Sequence, residues 1–93
     1  VMNVTPVENV EEAITRANGI PFGLTATVWS QDEENADKIG QKLQAGTIGI
    51  NQFVGSVAEC PWGGVKSSGI GRMLGPEAVR EYTSTVNYRF LKK

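Results

Sequence analysis

The residues able to do chemistry gather in one stretch of the chain. From Pro61 to Gly75 the sequence PWGGVKSSGIGRMLG places five glycines in fifteen positions, with the cations Lys66 and Arg72 and the hydroxyls Ser67 and Ser68 among them. Glycine lets the main chain bend through positive φ and come close to another body, so such a run predicts a tightly shaped loop, and shaped loops on a packed scaffold are where binding residues concentrate. Lys66 and Arg72 can take a phosphate or a carboxylate, or stand in solvent or in an ion pair. Two phosphate-binding patterns are excluded by spacing. Gly69 to Leu74 has leucine where the dinucleotide fingerprint needs its last small residue, and Gly64 to Gly69 lacks the lysine that follows a phosphate loop. Cys60 lies just upstream as the only cysteine, in a chain without histidine, and so has no partner of the usual base type. It reads as a pocket-rim or buried thiol and not as a nucleophile. Trp62, beside the glycine pair, reads as a pocket wall, with core filler as the other reading.

The elements that must position this loop follow from periodicity. Val1–Val7 alternates Met2 and Val4 with Asn3 and Thr5, which predicts a strand ending at Pro6. Asn9 with Glu12 forms a capping pair, and Val10, Ala13, Ile14 and Ala17 recur on one helical face. Gly19 is expected to end that helix in the left-handed conformation, before Pro21. A turn at Pro21-Phe22-Gly23 leads to a strand from Leu24 to Trp29, alternating Leu24, Ala26 and Val28 with Thr25, Thr27 and Trp29. Ser30, with Glu33, is expected to cap a second helix that buries Ala36, Ile39, Gly40 and Leu43, carries Glu34 and Lys38 one turn apart outside, and ends at Gly46. Thr47–Asn51 is a third strand with both isoleucines on one face. Pro76 is expected at the first position of a short helix, with Ala78, Val79 and Tyr82 on one side. From Ser84 to Leu91 a last strand alternates Val86, Tyr88 and Phe90 with polar residues. Trp29 and Tyr82 read as packing residues, and Glu11 and Glu12 as a solvated helix start.

This order predicts an α/β fold: a βαβαβ layer with parallel strands, a long glycine-rich loop, a short helix and a C-terminal oligomerisation strand. Ligands of such sheets bind beyond the carboxyl ends of the strands, where the loop from Gln52 to Gly75 leaves the third strand.

Composition sets the outer limits. The 93 residues are 40% hydrophobic, and nine Lys and Arg against ten Asp and Glu leave a net charge of −1 with no basic stripe, so no nucleic-acid partner is expected. No apolar run spans a bilayer and no signal-peptide pattern opens the chain, so no membrane association and a cytoplasmic location are expected, with the sequon Asn3-Val4-Thr5 idle. One cysteine allows no internal disulfide and no structural zinc site. A chain this small buries roughly 60 to 65% of its unfolded surface, so partner surface is expected. Beginning inside a strand, it reads as a piece of a longer protein.

Taken together, PFGLTATVWSQD, AGTIGIN, PWGGVKSSGIGRMLGPEAVREYT and the terminal strand resemble the C-terminal part of the NAD(P)-dependent aldehyde dehydrogenase superfamily, in the family's order and over nearly the whole chain. The resemblance implies an oxidoreductase converting an aldehyde to a carboxylic acid through a cysteine thioester, with hydride passed to NAD or NADP. It places the nucleophile, the general-base glutamate, the nucleotide-binding sheet and the residues on the nicotinamide ribose N-terminal to this region. No catalytic, cofactor-binding or metal-binding residue is then expected here, and the 93 residues alone should be inactive. Val54 to Trp62 resembles the variable substrate-lining segment, with Val54 and Ser56 smaller than is common, Cys60 on its rim and Trp62 where phenylalanine is usual. GGVKSSG resembles the anchor loop, whose serine, Ser68 here, can hold the far end of a substrate. Residues 1–83 correspond to the end of the catalytic domain. Residues 84–93 correspond to the oligomerisation strand and tail, implying a homodimer or homotetramer through Val86, Tyr88 and Phe90. A non-catalytic binding or assembly module that keeps the fold is the alternative.

Overall fold

The computed structural model describes residues 1–92. Helix α1 spans Val10–Asn18 and starts as its sequence dictates, the Asn9 side chain accepting from the Glu12 amide at 2.9 Å. Glu12 in turn accepts from the Glu8 amide and from Arg16 one turn on. The end of α1 differs from expectation. Gly19 is right-handed (φ −77°, ψ −2°), because its amide closes a tight bond to the Arg16 carbonyl and the side chain of Lys66, far along the chain, takes up the Asn18 and Ile20 carbonyls.

Two short ladders follow. β1, Phe22–Gly23, lies where a turn is predicted and pairs antiparallel with β4, Val65–Lys66. β2, Thr25–Val28, pairs in parallel with β3, Thr47–Ile50, with Thr25 opposite Thr47 and Val28 opposite Ile50. Helix α2, Glu33–Gly40, connects these two and packs on both. Its face is the predicted one: Ala36 and Gly40 are buried, Ile39 and Leu43 are half-buried, and Lys38 meets Glu34 at 2.6 Å outside. A Cβ built on Gly40 would sit 3.1 Å from Ile48 Cγ2 and 3.3 Å from Ile50 Cδ1, so both isoleucines of β3 face α2 as expected.

The ends of α2 shift inward from their predicted places. Asp32, not Ser30, is the cap, accepting from the Asn35 amide at 3.0 Å. Ser30 is held elsewhere: its amide donates to Asn51 Oδ1 and its carbonyl accepts from Asn51 Nδ2, both at 2.8 Å, while its hydroxyl accepts from the Asp32 amide. The helix stops at Gly40, and Gly46 serves a different purpose, its amide donating to the Gly23 carbonyl at 3.1 Å. Helix α3 is the single turn Ala78–Glu81, preceded by Glu77 and not opened by Pro76, and of its predicted apolar side only Ala78 is half-buried.

Neither terminal strand forms. Val1–Val7 and residues 84–92 run without a ladder partner among the described residues. Alternating side chains create a face, but a strand also needs a neighbour for its amides and carbonyls. The βαβαβ layer is thus reduced to one parallel pair beside one antiparallel pair. These arms give the Cα trace a radius of gyration of 18.6 Å, against about 12 Å for a compact chain of this length. The chain exposes 7965 Å², whereas a compact monomer of 10.0 kDa would expose about 5,200 Å². No helix among the described residues is long and apolar enough to cross a membrane.

Six described residues are buried: Ile14, Gly23, Ala36, Gly40, Gly49 and Gly64. Four of these are glycines, and at Gly23 and Gly49 a Cβ would meet the Gln44 and Gln52 carbonyl oxygens, so main chain approaches main chain there. At Gly46 the approach is closest, since a Cβ there would overlap the carbonyl oxygen of Gly63. Gly46→Ala is expected to destabilise the protein by about 3 kcal/mol or more, as overpacking does when backbone cannot retreat; an unchanged denaturation midpoint would contradict this close approach. For the α2 cap, Asp32→Ala should cost about 1 kcal/mol and Ser30→Ala clearly less. The reverse ranking in urea unfolding would return the cap to Ser30.

Candidate functional site

The glycine-rich loop is built on the β1–β4 pair. Ser67 donates its amide to the Pro21 carbonyl at 2.9 Å, and the Ser68 hydroxyl accepts from the Gly23 amide at 2.9 Å. Ser68 therefore serves first as a staple between the loop and β1. Its own O–H is still a donor, which a hydroxyl keeps while accepting. Trp62 is fixed by a two-way bridge to Met73, with N···O distances of 2.7 and 2.8 Å. The bridge folds the glycine segment back on itself, and the Gly75 amide closes the outer turn on the Ala58 carbonyl at 2.9 Å.

Two cavities flank Trp62. The one of about 360 Å³ lies between β3 and the loop that follows it, and Val54, Ser56, Cys60 and Trp62 all line it, with Ile48 and Phe53. The other, of about 300 Å³, holds Ser68 together with Leu24, Arg72 and Tyr82. Four of the five predicted lining residues thus meet around one space, and the fifth faces the opposite side of the shared tryptophan wall. Val54, Trp62 and Ser68 are half-buried, while Ser56 and Cys60 are exposed, so the thiol stands on the rim.

Both cations of the loop bond to main-chain oxygens. Lys66 Nζ donates to the carbonyls of Asn18 and Ile20 at 2.7 and 3.1 Å, and Arg72 Nη1 to those of Gly64 and Gly71 at 2.9 and 2.8 Å. No regular helix follows β4 until Ala78, so the glycine segment does not lead from a strand into a helix N-terminus as phosphate cradles do.

Sequence reasoning passed over several residues. Phe53 lines the larger cavity and packs edge to face on Trp29 at 5.5 Å, with both rings largely exposed. Tyr82 is likewise exposed. Phe53 was findable, standing just past the carboxyl end of β3. Met73, which holds Trp62 through backbone alone, left no signal in its side chain. Asn18 left none either, yet its side chain donates to the Lys42 carbonyl and accepts from the Gln44 amide. Chemically the arrangement offers an aromatic wall, small side chains and a few hydroxyl and main-chain groups, which suits a small molecule of mainly apolar body.

Residues 1–87 match the model of the aldehyde dehydrogenase family. Over 82 residues the chain is 43% identical to the geranial dehydrogenase of Castellaniella defragrans, taking in 88% of this chain and 17% of that protein. Among solved structures it resembles the betaine aldehyde dehydrogenase of Staphylococcus aureus in complex with NAD+, at 46% identity and a TM-score of 0.78, covering 82% of this chain and 15% of that one. The aldehyde dehydrogenase of Mycobacterium tuberculosis complexed with NAD+ gives 42% identity and a TM-score of 0.80 over 85% of this chain and 16% of that one. This chain spans about 17% of the length of the curated relatives it matches. An α/β chain with this sequence, this loop and these likenesses belongs to the aldehyde dehydrogenase family.

Proposed function

We propose that residues 1–83 are the C-terminal part of the catalytic domain of an aldehyde dehydrogenase and that they supply the wall of its substrate pocket. The overall reaction oxidises an aldehyde to a carboxylic acid through a thioester on a cysteine outside this chain, with NAD or NADP as oxidant. The observation that carries this reading is the convergence of Val54, Ser56, Cys60 and Trp62 on one cavity beyond β3, in a member of that family. Trp62 supplies a flat apolar face. Val54 and Ser56 leave room that larger residues would fill, and Cys60 edges the mouth. Ser68 keeps one hydroxyl donor for a polar group at the far end of a substrate. The dinucleotide is assigned to residues outside this chain because the glycine segment matches neither phosphate-binding pattern and does not lead from a strand into a helix N-terminus. By the same reading the 93 residues alone are inactive, and the complete enzyme is cytoplasmic.

Residues 84–93 are proposed to join subunits as a homodimer or homotetramer. Val86, Tyr88 and Phe90 support this, being apolar, alternating and exposed on an extended segment without a ladder partner among the described residues.

The direct test is reduction of NAD and NADP by the complete protein over a broad set of aldehydes. Activity is expected, and Trp62→Ala should raise the aldehyde KM by about tenfold while Trp62→Phe stays near the parent, as loss of an apolar wall predicts. Failure with every aldehyde and both cofactors would leave a non-catalytic assembly module as the surviving reading. For the tail, removing Val86 to Lys93 is expected to yield a smaller particle in light scattering, and an unchanged oligomer mass would refute the subunit role.

A further inference from the structure

Lys66 is bent against its own preference. It has a φ of 55°, a left-handed conformation that favours glycine or asparagine and that a long side chain adopts only where its surroundings hold it. Glycine is plentiful in this loop, yet lysine stands here. Its ammonium bridges the Asn18 and Ile20 carbonyls at the end of α1, where unpaired helix carbonyls and the negative end of the helix dipole favour a cation. The two residues that follow are part of the same clamp. Lys66 lies opposite Phe22 in the β1–β4 pair, the Ser67 amide reaches Pro21, and the Ser68 hydroxyl takes the Gly23 amide. On the other side of the helix end, the Asn18 side chain holds Lys42 and Gln44, so one point joins α1, the segment after α2 and the glycine loop.

We propose that Lys66 is a positioning residue for the substrate pocket: its ammonium, seated on the end of α1, fixes the loop that places Trp62 and Ser68. It touches neither cavity. Its effect on aldehyde binding therefore passes through the Ser68 staple and the segment between Gly63 and Met73. The proposal rests on the pocket reading above.

The test compares Lys66→Met, Lys66→Arg and Lys66→Gly in the complete protein, by amide hydrogen exchange and by aldehyde kinetics. Lys66→Met, which keeps the stem and removes the donors, is expected to speed exchange at Gly23 and Ser67 by about tenfold or more and to raise the aldehyde KM by about tenfold, with kcat changed far less. Lys66→Arg should recover part of both. Lys66→Gly relieves the bend but lacks the ammonium, so it should resemble Lys66→Met; if it matches the parent in both readouts, the backbone bend alone shapes the loop and the proposal is overturned. Parental KM in an active Lys66→Met protein also overturns it. A parent that oxidises no aldehyde removes the pocket reading instead, and the exchange rates then decide alone whether Lys66 holds the loop.

Discussion

Main chain packed against main chain is the constraint on which this structure depends. Four of the six buried described residues are glycines, and the loop at Gly63 and Gly64 lies so close to Gly46 that a side chain there would have no space. Contact of that kind buries little apolar surface, so its stability must come from hydrogen bonds aligned across it. The ladders of β1 with β4 and β2 with β3, the Gly46 amide on Gly23 and the Ser68 hydroxyl on the Gly23 amide supply them. Gly23 is therefore the meeting point of strand, loop and the segment after α2.

The charged residues of the glycine loop belong to this scheme. Lys66 through Nζ and Arg72 through Nη1 donate to carbonyls of tight turns and a helix end, so the loop is braced by its own cations. Bracing leaves the pocket wall to apolar and small groups. Trp62 separates two spaces because its backbone is pinned to Met73 on a strand-like bridge, and the side chain projects between them.

The apolar surface has a different logic. Val86, Tyr88 and Phe90 on the tail, Met2 and Val4 at the start, and the Trp29–Phe53 pair are all exposed. The surface exceeds that of a compact monomer by about half. The chain spans about 17% of the length of the curated relatives it matches and has the composition of a packed domain, while only six of its described residues are buried.

By itself the sequence determined the elements whose cause is local. Asn9 and Glu12 start α1, the alternation from Leu24 to Trp29 and in TIGI makes β2 and β3, and the Glu34–Lys38 spacing sets the outer face of α2. The motif order of the glycine loop also carried the family. Tertiary structure decided what depends on residues far apart in the chain. Asn51 claims the Ser30 backbone, and the cap of α2 moves to Asp32; Lys66 reaches the end of α1, 48 positions from Asn18, and Gly19 remains right-handed. The alternation in Val1–Val7 and in the tail was legible, but whether an alternating segment becomes a strand is settled by the edge it meets, and a one-dimensional pattern does not contain that edge.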